Sequence, residues 1–379
     1  MGAQNKQMKI LYITYVDFDK GNSGSSVRPV RMYNAFIGLG LDVKLLSGEV
    51  SYTNIEKRRK RKNEIKKINE WLKENKPDIC YIENSTSPIK LRGDRNLIKK
   101  IHRMDIPIGY FFRDAYYKFP SDFQLNKGMK KKLIFFVQKR MYLRDERLIK
   151  KLVDIVYLPS EAVNHHLGFS ETSALPPAST GELSYIDNVY KGKNTSIYVG
   201  GITGLYNVGF LIKAFEMLNK KSEKEYKLIL CCRRQEYLSS NIKDLDYEWL
   251  EIHHVFGEEL NELYRRSDVA LIIHDPDYEY NSYAIPVKLF EYLNHGIPIV
   301  STDCNEIGRC IKENAVGAVS EMLPQSYAES VEEVLDKSIN QELRKNIDIA
   351  IKNGNRWKDR AEKVVNELSK LIKKVEMER

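Results

Sequence analysis

The densest chemistry in this 379-residue chain lies in the run Tyr280-Asn281-Ser282-Tyr283-Ala284-Ile285-Pro286-Val287-Lys288-Leu289-Phe290-Glu291-Tyr292-Leu293-Asn294-His295-Gly296-Ile297-Pro298-Ile299-Val300. Pro286 is placed to open a helix, because its missing N–H costs nothing in a first turn. The amides of that turn stay available to an anion. Glu291 falls about one and a half turns in, a carboxylate able to accept hydrogen bonds from sugar hydroxyls. Ser282, Tyr283, Ala284 and Ile285 form the approach to the helix start, and Lys288 adds a cation inside it. Gly296 closes the helix. Two other loops are glycine-rich: Gly21-Asn22-Ser23-Gly24-Ser25-Ser26, with Gly24 and Ser25 at its centre, and Tyr198-Val199-Gly200-Gly201. Small residues let a backbone approach phosphate closely, although a plain turn has the same composition. Neither loop has the G-x-G-x-x-G spacing of a dinucleotide site. Arg233 and Arg234 could supply phosphate-binding charge, or lie on the surface. Asp114 follows an apolar run and could orient or deprotonate a hydroxyl, or cap a helix.

Loops after strands are where open α/β sheets bind ligands, so the elements must deliver these loops there. Residues 9–14 read as a buried strand, followed by a helix with Pro29 in its first turn and Ser25 or Ser26 as its cap. Strands are expected at 43–46, 78–82, 107–112 and 155–158. Helices are expected up to about 74, at 94–104 and over about 127–152. Residues 168–194 show no clear period and read as the end of one domain plus a linker. The cycle restarts with strands at 196–199, 227–232, 269–274, 297–301 and 317–320, and with helices at 210–218, 259–267 and 286–294. A last helix, about 355–374, puts Trp357, Ala361, Val364, Leu368 and Leu371 on one face. Strands alternating with helices predict an α/β protein with two doubly wound parallel sheets.

The segment P-V-K-L-F-E-Y-L-N-H-G-I-P-I-V closely resembles the donor-binding helix of GT-B glycosyltransferases, especially family four, also called group 1. Residues 255–271 (V-F-G-E-E-L-N-E-L-Y-R-R-S-D-V-A-L) resemble the stretch before that helix. The likeness spans most of residues 196–320 and is generic over 8–195. It implies two Rossmann-like domains facing a cleft: an acceptor domain over 1–180, a donor domain over 181–354, and a helix over 355–379 crossing back. It implies a nucleotide diphosphate sugar as donor, with a UDP-sugar expected, no cofactor and no metal. Donor contacts would come from Gly24, Ser25, Gly200, Gly201, Arg234, His254, Ser282, Tyr283, Ala284, Ile285, Lys288 and Glu291. Asp114, Arg233 and Glu291 would carry the transfer. Glu291 matches the second acid of the family's E-x7-E motif, and the first falls at Tyr283. The Arg and Lys common after the strand glycine are absent from 201–209, so Arg233 and Arg234 would substitute. A sugar-nucleotide epimerase of the same architecture and a non-catalytic partner subunit are the rival readings. Asp275-Pro276-Asp277 reads as a turn in this architecture. The pairs His165–His166 and His253–His254 point apart and make poor bidentate sites.

The net charge of +9 is concentrated at 57–62 and 127–151. Such clusters suit an anionic partner or a solvated helix face. Leu133, Ile134, Phe135, Phe136 and Val137 interleave with the second cluster, as in a helix lying on an anionic membrane. A helix packed into the domain fits the same pattern. On the membrane reading the acceptor is a lipid-linked sugar of surface-polysaccharide assembly, and the protein works in the cytoplasm at the inner membrane face. The first cluster lacks the interleaved aromatics of a nucleic-acid stacking platform, so no nucleic-acid partner is expected. No run reaches the roughly 18 apolar residues of a membrane span. Five cysteines without zinc spacing read as reduced core thiols.

Overall fold

The computed structural model describes residues 7–18, 24–51, 53–120, 129–181, 190–202, 206–221 and 224–377. The chain forms two compact units. One comprises residues 1–177 and 357–379, and the other residues 178–356. Gly21, Asn22 and Ser23 of the first glycine-rich loop lie outside the described residues.

Unit one runs β1 (Lys9–Thr14), α1 (Gly24–Gly38), β2 (Asp42–Leu46), α2 (Ile55–Glu74), β3 (Ile79–Glu83), α3 (Arg92–Arg103), β4 (Ile108–Phe111), α4 (Met129–Leu152), β5 (Ile155–Leu158), α5 (Asn164–Leu167) and β6 (Thr172–Ala174). Its six strands are parallel, in the order β2-β1-β3-β4-β5-β6. The winding direction reverses between β1 and β3.

Unit two runs β7 (Thr195–Val199), α6 (Val208–Lys221), β8 (Lys227–Cys231), α7 (Arg234–Leu238), β9 (Leu250–His253), α8 (Glu258–Arg265), β10 (Val269–Ile272), α9 (Val287–Asn294), β11 (Ile299–Thr302), α10 (Asn305–Asn314), β12 (Gly317–Ser320), α11 (Pro324–Leu335) and α12 (Lys337–Lys352). Its parallel order is β12-β11-β10-β7-β8-β9, with the reversal between β7 and β10. The last helix, α13 (Trp357–Met377), belongs to unit one and packs on α1, β3 and β4. Trp357, Ala361, Val364 and Leu368 are its buried stripe. Gly109 of β4 makes room for it, since a Cβ there would stand 3.1 Å from Leu368 and 2.7 Å from the Tyr157 ring.

Several expectations need correction. Helix α1 begins at Gly24, so Ser25 and Ser26 lie inside it and neither caps it. Pro29 sits in the second turn. The amide it lacks would have reached only the Ser25 carbonyl, so the loss stays confined to the helix start. The segment 168–194 holds β6, a three-residue edge strand paired with β5 and too short to show a period. The edge strand β9 escaped notice for the same reason. Helices α11 and α12 were also unassigned, although Tyr327, Ala328, Val331, Val334 and Leu335 recur at helical spacing and are all buried.

The basic run at 57–62 is not one solvated face. Arg61 is buried, and its Nε and Nη2 donate to Asp94 Oδ1 at 3.0 and 2.8 Å. Its Nη1 donates to the carbonyls of Thr14 (2.8 Å) and Ser47 (3.0 Å). The second cluster divides along α4: the side chains of Leu133, Ile134, Phe136 and Val137 are exposed, whereas Tyr142, Ile149 and Leu152 are buried. Cys80, Cys231, Cys232 and Cys304 are buried thiols, and Cys310 is half-buried.

Candidate functional site

The reversal between β7 and β10 leaves a crevice at the carboxyl ends of these strands, the place where doubly wound sheets bind ligands. Three phenols organise it. Tyr292 Oη accepts the Val199 N–H at 3.0 Å and donates to the Leu271 carbonyl at 3.3 Å, bracing α9 against both strand ends. Tyr198 Oη donates to the Gly201 carbonyl at 2.7 Å and folds the glycine loop back on β7. Tyr327 Oη donates to Val300 and Ile272 carbonyls at 2.9 and 3.2 Å. Burial pushes all three phenols up, so they remain neutral donors. Leu289, Phe290 and Leu293 anchor α9 in the core, each contributing about 1.5–3 kcal/mol. At the other end, Arg344 of α12 donates to the Gly296 carbonyl at 2.9 Å and fixes the exit of α9.

Lys288, Glu291 and Tyr292 share one face of α9, at spacings of three and four residues. The Lys288 ammonium is buried and, among the described residues, has no hydrogen-bond partner. It lies 4.4 Å from the Tyr198 ring centre and 5.7 Å from that of Tyr206. Burial lowers its pKa to about 7, against the opposing pull of Glu291. Gly200 has φ of 150°, and a Cβ there would stand 3.6 Å from Lys288 Nζ. A side chain at Gly201 would collide with the Tyr206 ring at 2.7 Å. Backbone is thus the only lining possible on that side. Pro286 caps α9 without a side-chain hydrogen bond; its carbonyl accepts the Leu289 N–H at 3.2 Å, and no cap side chain covers the amides of Val287 and Lys288. A buried cation, a glycine backbone and a helix start meet here, and this combination attracts phosphate.

His274 stands beside Lys288 and Tyr206, and the sequence gives no local sign of it. Its backbone is clamped by the Thr302 hydroxyl, which accepts from its N–H at 2.9 Å and donates to its carbonyl at 2.6 Å. Burial first, and then the Lys288 charge, drive its imidazole down to about 3, so it stays neutral. Its Nδ1 is buried with no partner among the described residues. Tyr198 and Tyr292 were visible only as members of apolar runs. Their bonding is tertiary and leaves no local signal.

The remaining residues spread outward from this centre. Ser282 ends a 3-10 turn (Glu279–Ser282), and Tyr283, Ala284 and Ile285 bridge half-buried to α9. Arg233 is exposed and pairs with Glu236 at 3.2 Å. Glu236 also accepts the Ile202 N–H at 3.0 Å, which links Arg233 to the Gly201 loop. Arg234 is exposed at the start of α7. His254 follows β9, two strands from β7, with Nδ1 2.9 Å from the Cys232 carbonyl oxygen and its ring against Tyr237. Asp275 accepts the Asp277 N–H at 3.0 Å, so the D-x-D forms an Asx turn. Gly24, Ser25 and Asp114 belong to unit one. Gly24 and Ser25 open α1. Asp114 is half-buried three residues beyond β4 and does not cap the following turn, whose cap position is Ala115.

Residues 182–354 match the family of glycosyl transferases group 1. Among curated proteins none matches the chain. Sucrose-phosphate synthase from Thermosynechococcus elongatus superposes with a TM-score of 0.66 at 12% identity, covering 96% of this chain and 99% of that one. An alpha-glucosyltransferase in complex with UDP-glucose and DNA containing an abasic site gives 0.63 at 13%, covering 96% and 100%. WaaG, a glycosyltransferase involved in lipopolysaccharide biosynthesis, gives 0.61 at 15%, covering 95% and 99%. The fold of the whole chain is that of these glycosyltransferase structures, two parallel-sheet α/β units of GT-B type, and residues 182–354 are similar to the group 1 glycosyl transferases.

Proposed function

We propose that unit two binds a nucleotide diphosphate sugar, with a UDP-sugar expected, and that the protein transfers its hexosyl group to an acceptor hydroxyl. The buried Lys288 ammonium, without a hydrogen-bond partner beside Gly200 and the start of α9, carries this reading. Breaking the bond between the anomeric carbon and the diphosphate oxygen builds negative charge on the leaving group. A fixed ammonium and aligned amides stabilise that charge most in the transition state. This cation takes the role a metal ion fills elsewhere, so the reading is of a metal-independent transferase. Glu291 accepts the ribose hydroxyls. Arg233, linked through Glu236 to the Gly201 loop, and Arg234 beside it add positive field, with His254 toward the base. Asp114 takes the acceptor proton. The UDP-glucose bound in the alpha-glucosyltransferase supports uridine as the base.

Glu291→Ala should weaken uridine and UDP alike by about tenfold, because it removes hydrogen bonds to the ribose and not to the phosphates. Calorimetric titration checks this, and unchanged affinity for both ligands removes Glu291 from the site.

The exposed run Leu133, Ile134, Phe136 and Val137, with exposed Lys132 and Arg140 alongside, supports an anionic membrane as the working surface and a lipid-linked sugar as acceptor. Surface-polysaccharide or glycolipid assembly follows from that, and a GT-B neighbour serves lipopolysaccharide biosynthesis. Among the described residues no helix is long and apolar enough to cross a membrane. The buried Arg61 speaks against a nucleic-acid groove on α2. Vesicles rich in anionic lipid should co-sediment the wild type, and Phe136→Glu should abolish this. Equal co-sedimentation of both proteins contradicts the membrane role.

A further inference from the structure

Unit one has its own topological reversal, between β1 and β3, and a cavity of about 280 Å³ opens beside it. Its wall is built from the loops after β1, β2 and β3, with Lys57 from α2 and Lys90 before α3. The lining is polar. Ser85 and Ser87 present hydroxyls 3.0 Å apart. Ser51 Oγ accepts the Thr53 and Asn54 N–H groups, both at 3.3 Å, which fixes its position. Lys90 Nζ donates to the Val50 carbonyl at 2.7 Å, and Lys57 pairs with Glu49. Two ammoniums therefore stand at the cavity wall with the Glu49 carboxylate, and Asp17 accepts the Glu49 N–H at 3.2 Å beside them. Lys90 is half-buried, and both that burial and Lys57 press against its charge, with Glu49 opposing them. A bound anion relieves that strain on Lys90. The volume lies just below the roughly 300–1,000 Å³ of drug-sized ligand pockets, which suits one sugar ring and excludes a whole nucleotide sugar.

We propose that this cavity binds a single sugar unit bearing a carboxylate or phosphate, with its hydroxyls held by Ser51, Ser85 and Ser87 and its anionic group by Lys90 and Lys57. The proposal rests on the reading above in one respect: the bound sugar is the acceptor.

Calorimetric titration of the full chain with glucose, glucuronate, glucose 6-phosphate and inorganic phosphate tests it. At least one charged sugar should bind about tenfold tighter than glucose, the worth of a hydrogen bond to a charged group. The preferred one identifies carboxylate or phosphate as the recognised group. Lys90→Gln should erase that preference. Glu49→Gln should tighten the charged sugar by releasing Lys57, a gain of function that misfolding cannot imitate. UDP affinity, measured on the same samples, should be unchanged in both variants. Loss of UDP binding by the wild type with sugar preference intact would refute the donor reading and not this one. Equal affinity for glucose and both charged sugars, no sugar binding, or inorganic phosphate binding as tightly as glucose 6-phosphate would overturn the proposal.

Discussion

Lys288→Met is expected to cut sugar transfer by about 100-fold or more while raising the stability of the protein. The two effects have one cause. Methionine keeps the length and apolar stem of the side chain and removes the charge. The ammonium is buried without a hydrogen-bond partner among the described residues, so its removal should stabilise the fold by on the order of 2 kcal/mol at pH 6. On the proposed reading the same removal would strip the diphosphate of a preorganised cation, and losing one such charge typically costs about 10²–10³ in rate. Proton linkage adds a signature. Lysine has an ordinary pKa of 10.5, and burial lowers Lys288 to about 7. Between these values the unfolded chain holds the extra proton, so this group makes stability rise as pH increases from about 7 to 10.5. Below pH 7 the charged form is present in both states and its burial penalty is complete. Lys288→Met should therefore show a flatter stability profile across that interval and its largest gain at low pH. Melting curves and initial rates of donor turnover check both halves. A variant that loses stability and retains activity would make Lys288 a packing residue.

The second large effect is in unit one. Arg61→Ala should destabilise that unit by about 3–5 kcal/mol, because Asp94 is left as an uncompensated buried charge. The side chains of both residues are almost wholly inaccessible. The double substitution Arg61→Met with Asp94→Leu should recover most of the loss, since it removes both charges together. Arg61 also bridges the carbonyls of Thr14 and Ser47, at the ends of β1 and β2. These are the strand ends beside the unit-one cavity, so the alanine variant should lose charged-sugar binding as well as stability. Urea unfolding followed by calorimetry of the survivors measures both. A loss below about 1 kcal/mol would make Arg61 equivalent to an exposed surface cation.

Much of this architecture is written in local patterns. Short strands such as Lys9–Thr14, Ile155–Leu158 and Gly317–Ser320 are apolar or small-residue runs, and they appear where the sequence places them. Helix α9 is legible because Pro286 and Gly296 punctuate it. Lys288, Glu291 and Tyr292 share one of its faces because they lie three and four residues apart. The rest depends on contacts distant in sequence. Nothing near Arg61 announces Asp94, which lies 33 residues away, so a core ion pair was hidden inside a run of exposed-looking charges. Tyr292 reads as an apolar helix residue until its hydroxyl is seen bracing β7 and β10. His274 lies two residues beyond β10 and becomes interesting only when Lys288 arrives beside it. Edge strands β6 and β9 are defined by a single partner each, not by their own few residues. The capping role considered for Asp114 failed because the following turn begins one residue later.

The most direct test of the donor site is a thermal-shift panel of UDP, GDP, ADP and TDP against the wild type, Glu291→Ala and Lys288→Met, without added metal. A ligand at about 100 times its dissociation constant adds roughly 2.7 kcal/mol to the folded state. One diphosphate, UDP, should raise the melting temperature of the wild type, with the shift reduced in Glu291→Ala and nearly absent in Lys288→Met. No shift with any of the four, or an undiminished shift in Lys288→Met, would contradict a donor site built around that lysine.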